Sequence, residues 1–298
     1  MTSRVDQERA PIYETLANYT RTGIYGFHTP GHKGGRFAAA ELTEMVGRSG
    51  LALDLPGMTA TDNTFHPTGC IRDAQQLAAE LFGAAATFYL TAGSTLGIAT
   101  ALMAAAPHGG TVALPRNIHR SVVAGLVLSG SSPRFVPHEV LPECGALSVT
   151  PASLAAVLDS EPRPSAVLLT RPSYYGLAGD LEALVDVCHA RGVPLIVDEA
   201  HGAHLHFLPH VDEFLRNSNS PPGETRPQDA SFGETRLRGR ATASPMPAIA
   251  AGADLAIQSC HKTLGSLVGS AQLHVGPNSL IEPERVQDLR EKLHRWRL

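Results

Sequence analysis

Apolar positions from about Ile71 onward switch between two periods, and that switching predicts the architecture. Ile71 to Phe82 places apolar side chains three and four residues apart, as on one face of a helix. Thr87 to Leu90 reads as a short strand, and the small-residue loop Ala92-Gly93-Ser94-Thr95 opens an apolar helix running to Ala106. Further strands are expected at Thr111 to Leu114, Ser165 to Thr170, Pro194 to Asp198 and Asp254 to Ser259. Helices are expected between them, at Ile118 to Leu128, Pro151 to Leu158 and Leu181 to Arg191. Runs such as Ala166-Val167-Leu168-Leu169 are continuously apolar, as strands are when helices cover both faces of a parallel sheet. The pattern predicts an α/β fold with a mostly parallel sheet, in which ligands bind beyond the carboxyl ends of the strands.

Two regions depart from the alternation. The first third opens with an amphipathic helix, Glu8 to Tyr19, followed by the loop Phe27-His28-Thr29-Pro30-Gly31-His32-Lys33-Gly34-Gly35. From about His210 to Pro247 the chain is rich in Pro, Gly, Ser, Asn, Arg and Glu. Such a composition does not bury enough apolar surface to offset its ordering entropy, so a flexible surface insertion is expected there.

Composition narrows the function. Hydrophobic residues make up 43% and charged residues 17%, an ordinary globular balance. The net charge of −4 is spread without a basic stripe, which argues against nucleic acid as a partner. No apolar run is long enough to span a bilayer, and the polar start Met1 to Ala10 lacks the apolar core of a secretory signal. Cys70, Cys144, Cys188 and Cys260 are widely separated, so reduced thiols in a cytoplasmic protein are expected rather than a disulfide framework or a zinc site.

Three strand ends carry candidate chemistry. Gly93-Ser94-Thr95 enters a helix after a strand, where free N–H groups favour a phosphate; taken alone it reads more readily as an ordinary small-residue turn. Asp198-Glu199-Ala200-His201-Gly202-Ala203-His204 follows a buried strand. An acid there needs a cation or donors, or is simply a helix cap. His201, His204 and His206 match no zinc template, so no metal is expected. Ser259-Cys260-His261-Lys262-Thr263 follows another strand and places Lys262 at the ligand edge, unless it is an ordinary solvated lysine. A phosphate cradle, a buried carboxylate and an amine are together what pyridoxal 5'-phosphate requires. His119, just past another strand end, is placed to stack on a flat ring.

With these motifs in order, the chain resembles the major domain of the ornithine/lysine/arginine decarboxylases, which have the aspartate-aminotransferase type of three-layer α/β/α fold. The shared stretches are His28 to Lys33, Asp62 to Gln75, Gly93 to Thr95, Asn117 to Ser121, Asp198 to His204 and Ser259 to Thr263. The resemblance implies that Lys262 is the Schiff-base lysine, Asp198 the partner of the pyridine nitrogen and His119 the ring-stacking residue. It further implies that Ser94, Thr95, Ser259 and His261 hold the phosphate, that Ala200 packs beneath the ring and that His201 belongs to the cofactor site. The His28 to Lys33 motif is expected near the site.

The implied organisation is an N-terminal helical segment (1–24), a cofactor-binding large domain (25–289) interrupted by the insertion (210–247), and a basic tail (290–298). A C-terminal small domain is expected to be absent, which puts closure and turnover in doubt. The implied function is decarboxylation of arginine, lysine or ornithine by a homodimer whose sites draw on two subunits. Transamination or aldol cleavage on the same fold, or a truncated cofactor-binding partner subunit, are the rival readings.

Overall fold

The structure, a computed structural model, describes residues 6–64, 66–106, 108–140, 147–208, 245–281 and 285. Helices α1 (Pro11–Arg21), α2 (Ala40–Leu53) and α3 (Cys70–Phe82) precede the sheet, with α1 packed on α3 and α2. The remaining order is β1 (Ala86–Leu90), α4 (Gly93–Ala105), β2 (Thr111–Leu114), α5 (Arg120–Ser129), β3 (Ser132–Phe135), β4 (Glu139–Val140), β5 (Leu147–Ser148), α6 (Pro151–Leu158), β6 (Ala166–Thr170), α7 (Leu181–His189), β7 (Leu195–Asp198), β8 (Leu255–Ser259) and β9 (Ala271–Val275). A single helical turn, Cys260–Thr263, follows β8.

Seven strands form one sheet in the order β1-β9-β8-β7-β6-β2-β3. The pairs from β8 through β7, β6 and β2 to β3 are parallel. Strand β9 is antiparallel to both neighbours, so β1 points the same way as β8. The carboxyl ends of β1, β2, β6, β7 and β8 therefore lie along one edge. This is the three-layer α/β/α arrangement expected, and alternate residues divide the core in two. Leu114, Leu168, Ile196 and Ile257 face α4 and α5, whereas Ala113, Val167, Val197 and Ala256 face α6 and α7.

Close packing at two glycines brings the helices onto the sheet. A Cβ at Gly97 would lie 2.7 Å from Leu90 Cδ1 and 2.9 Å from Ile257 Cγ2, so the second turn of α4 sits directly against the end of β1 and the middle of β8. At Gly125 it would lie 3.2 Å from the Ala99 backbone, which joins α5 to α4.

The expected insertion lies outside the described residues except for Pro245, Met246 and Pro247, and the last two are tied in. The Met246 carbonyl accepts from Arg171 Nη1 at 2.7 Å, and the Pro247 carbonyl accepts from Ala251 at 2.9 Å. The basic tail also lies outside the described residues. Among the described residues no helix is long and apolar enough to cross a membrane.

Candidate active site

Asp198 ends β7 and is only 3% exposed. Burial pushes its carboxyl above the ordinary aspartate range, while the Ala200 N–H, donating to Oδ1 at 3.2 Å, and the charges of Lys262 and His119 pull it back. The three residues are thus within electrostatic reach although they come from three separate strand ends. Backbone bonds fix the strand end on both sides: Arg171 N donates to the Asp198 carbonyl at 3.0 Å, and Glu199 N donates to the Ile257 carbonyl at 2.9 Å.

Lys262 is exposed in the turn after β8, and its Nζ lies 3.2 Å from His201 Nε2. Burial, then the charges of Lys262 and His119, lower the His201 pKa. A neutral imidazole so placed is an acceptor for the lysine ammonium. Tyr174 meets the His201 ring edge-on at 5.9 Å between centroids.

His119 precedes α5 and caps it, its Nδ1 accepting from Ser121 N at 3.2 Å and lying 2.8 Å from Ser121 Oγ. Accepting at Nδ1 leaves the ring proton of the neutral form on Nε2. The exposed imidazole is anchored at one nitrogen.

At the start of α4, Gly93 has a positive φ of 76°, the N-cap residue Ala92 makes no side-chain cap bond, and the first-turn N–H groups have no intrahelical partner. Ser259 Oγ donates to Ser94 Oγ at 2.9 Å, linking the end of β8 to this turn. Thr95 is exposed in the same turn. His261 Nδ1 lies 2.9 Å from the Ser270 carbonyl, so that nitrogen carries a proton. Ala200 is buried directly after the Asp198–Glu199 pair.

Among the described residues, buried polar atoms near this cluster without a hydrogen-bond partner include Thr170 Oγ1, which neighbours Asp198 across the sheet, Asn117 Oδ1, two residues before His119, and His204 Nδ1. Thr170 and Asn117 line a cavity of about 240 Å³. An orphaned hydroxyl paired in register with the buried Asp198 fits a site built for a polar group, although none of the candidate site residues lines the cavity itself.

The structure therefore brings Ser94, Thr95, His119, Asp198, Ala200, His201, Ser259, His261 and Lys262 to one sheet edge. It does not bring in the His28 to Lys33 motif through any described bond. His28 bonds Tyr19 at 3.2 Å, Lys33 Nζ donates to the His28 carbonyl, and His32 pairs with Asp54 at 3.0 Å. Among the described residues no group of three or more His, Cys, Asp or Glu could hold a metal.

Sequence reasoning assigned no role to Glu199, Gln258 or Arg171. Glu199 is fully buried and accepts from Ala248 N at 2.8 Å and Gln258 Nε2 at 2.7 Å. Its neighbour Asp198 drew the attention, and its partners lie too far along the chain to show in a motif.

The sheet order and the strand-end cluster define an aspartate-aminotransferase-like α/β/α protein with its candidate site at the carboxyl edge. The chain belongs to the Orn/Lys/Arg decarboxylase family, whose major-domain model matches residues 10–221. It is 34% identical over 287 residues to an arginine decarboxylase of Bacillus anthracis, covering 96% of this chain and 51% of that protein. It is 33% identical over 284 residues to an arginine decarboxylase of Halalkalibacterium halodurans, covering 95% and 51%. The chain thus spans about half the length of these curated relatives. Its fold matches the constitutive lysine decarboxylase of Escherichia coli with a TM-score of 0.69 at 21% identity, over 97% of this chain and 38% of that one. It also matches the pyridoxal-5'-phosphate-dependent protein YhfS of Escherichia coli with a TM-score of 0.52 at 15% identity, over 98% and 60%.

Proposed function

We propose that this chain carries the cofactor half of a pyridoxal-phosphate-dependent decarboxylase acting on a basic amino acid: arginine to agmatine, lysine to cadaverine or ornithine to putrescine. The observation that carries the reading is the convergence of buried Asp198 with Lys262 and His119 beside an uncapped helix start. Relatives named arginine decarboxylase support the substrate class.

Bound pyridoxal phosphate supplies an electron sink for the pair left on a substrate that loses carbon dioxide. The α4 N–H groups and the side chains of Ser94, Thr95, Ser259 and His261 would hold the phosphate. Asp198, kept dry by burial, would hold negative charge against the pyridine nitrogen and so keep a proton there. His119 would lie flat on the ring, anchored through Nδ1. Lys262 would be the attachment point, and His201 would take or return the proton at its Nζ.

The test is absorbance of the purified chain with the cofactor, then borohydride fixation and peptide mapping. A covalent label on Lys262, lost in Lys262→Ala with the fold intact, is expected. Mapping to Lys33 or Lys292 instead would refute the assignment. An amine-product assay on arginine, lysine and ornithine then separates decarboxylation from transamination.

A further inference from the structure

Glu199 is a fully buried carboxylate for which the proposed chemistry has no task. Its surroundings are nonetheless highly ordered. Gln258 donates Nε2–H to Glu199 Oε2 at 2.7 Å, which leaves the Gln258 carbonyl oxygen as an acceptor. That oxygen receives Gln272 Nε2 at 2.8 Å and lies 3.1 Å from His274 Nε2, so His274 carries its proton on Nε2. The remaining nitrogen, Nδ1, then accepts from Thr87 Oγ1 at 2.8 Å. From Thr87 through His274 and Gln258, each donor points toward Glu199. The other oxygen, Oε1, takes Ala248 N–H at 2.8 Å. Room for this side chain exists because residue 202 is glycine: a Cβ there would lie 2.5 Å from Glu199 Cγ and 2.7 Å from Pro172 Cδ.

The charged and titratable groups around Glu199 are few. Arg171, buried at the end of β6, contributes a favourable charge and is held by the carbonyls of Gly179 at 2.9 Å and Met246 at 2.7 Å. Asp198 is its chain neighbour, and His274 lies one amide away on β9. Gln258 immediately precedes Ser259 and stands four residues before Lys262.

We propose that Glu199 is a positioning residue that locks the end of β7 to the end of β8 and so sets Asp198 against Lys262. Burial raises the Glu199 pKa to about 7, so above that pH the ionised carboxylate offers acceptors to two converging donors, one from Gln258 and one from the chain that returns at Ala248. A purely apolar pair would pack there at less desolvation cost but would not fix the register of the two strand ends. The part played toward the cofactor rests on the function proposed above.

The test uses the full chain with Glu199→Gln, Gln258→Glu and the double exchange. With Glu199→Gln one acceptor remains, but the amide NH2 now faces one of the two donors, Gln258 Nε2 or Ala248 N–H. With Gln258→Glu two carboxylates face each other. In the double exchange, the amide at 199 accepts from Ala248 and donates to the carboxylate at 258, which accepts from Gln272 and His274, so every bond is matched again. Amide exchange, without cofactor, is followed in peptides spanning 195–202 and 255–262. Cofactor affinity and the pH midpoint of its absorbance band are titrated separately.

Each single variant is expected to speed exchange at least tenfold in both peptides, and not in α5 or α6, and to weaken cofactor binding at least tenfold with a shifted midpoint. The double exchange should return all three to within about threefold of the parent. Uniform destabilisation with parental affinity and midpoint, or no recovery in the double exchange, would overturn the proposal. If even the parent fails to bind pyridoxal phosphate, the proposed function falls, and the exchange data alone decide whether the lock exists.

Discussion

Keeping Asp198 at 3% exposure costs folding free energy whenever the carboxylate is ionised. Its pKa is raised, chiefly by burial, so its contribution to stability is fully present below the unfolded value and is lost as pH rises through the folded one. Asp198→Asn keeps an oxygen for the Ala200 N–H but removes the buried charge. The variant is expected to be at least as stable as the parent at pH 8 and to lose that advantage toward pH 4, in urea unfolding followed across pH. Turnover, where measured in a catalytically competent preparation, should fall by about 10²-fold or more, because the lost charge acts on the reacting state. A variant less stable at pH 8 with unchanged turnover would make Asp198 a structural cap. The positions of Ser94, His119, Asp198 and Lys262 were legible because each lies at or just past the end of an apolar strand, whereas the roles given to Thr95, Ala200, Ser259 and His261 rested on the family resemblance. The Glu199–Gln258–His274 chain was not legible. Its members are separated by 59 and 16 residues, and only the sheet register aligns them.

Helix α3 shows the same limit one scale up. Its apolar face was visible in the sequence, but what starts it was not. Asp62 adopts a positive φ of 67° and turns its carboxylate onto the N–H groups of Asn63, Thr68, Gly69 and Ile71 at 2.7 to 3.0 Å. Burial pushes the Asp62 carboxyl up, but these four donors outweigh it and leave the pKa below the ordinary range. A depressed pKa contributes stability that is present above the unfolded value and is lost as pH falls through the folded one. Asp62→Ala is therefore expected to cost about 2–4 kcal/mol near neutrality, as for the loss of charge-assisted bonds to a helix start, and less at pH 3. Chemical unfolding at both pH values checks this, and a loss that does not shrink in acid would rule out the carboxylate as the cause. The bounds expected for β2 and α6 agree with the structure, since apolar runs and a Thr150 cap bracket them. Strand β9 escaped because buried Gln272 and His274 interrupt its apolar pattern and are satisfied by the distant Gln258 and Thr87. Edge strand β3 escaped because Pro133 and exposed side chains mask it, and α2 because Gly47, at φ 77°, breaks it.

For the whole molecule, the rim of the candidate site is unexpectedly apolar. Leu267 is 89% and Val268 92% exposed in the loop after Lys262, and Tyr174 and Tyr175 are also exposed, with Tyr174 against His201. The same loop abuts the segment that leads into α4, since a Cβ at Gly269 would lie 3.4 Å from the Thr91 carbonyl. Water around such a rim would weaken every electrostatic contact that Asp198 and Lys262 make with a bound group. A second copy of the chain seated over it would exclude that water, and burying Leu267 and Val268 would contribute about 1.5–3 kcal/mol each. We therefore predict that the chain is a homodimer in solution and that dimerisation and cofactor affinity are linked. Val268→Glu should raise the dimer dissociation constant by about tenfold or more in sedimentation equilibrium, and cofactor binding should weaken at protein concentrations where the variant is monomeric. Raising the concentration of the variant should restore both together. A parent chain that sediments as a monomer while binding pyridoxal phosphate tightly would show that one copy builds the site alone.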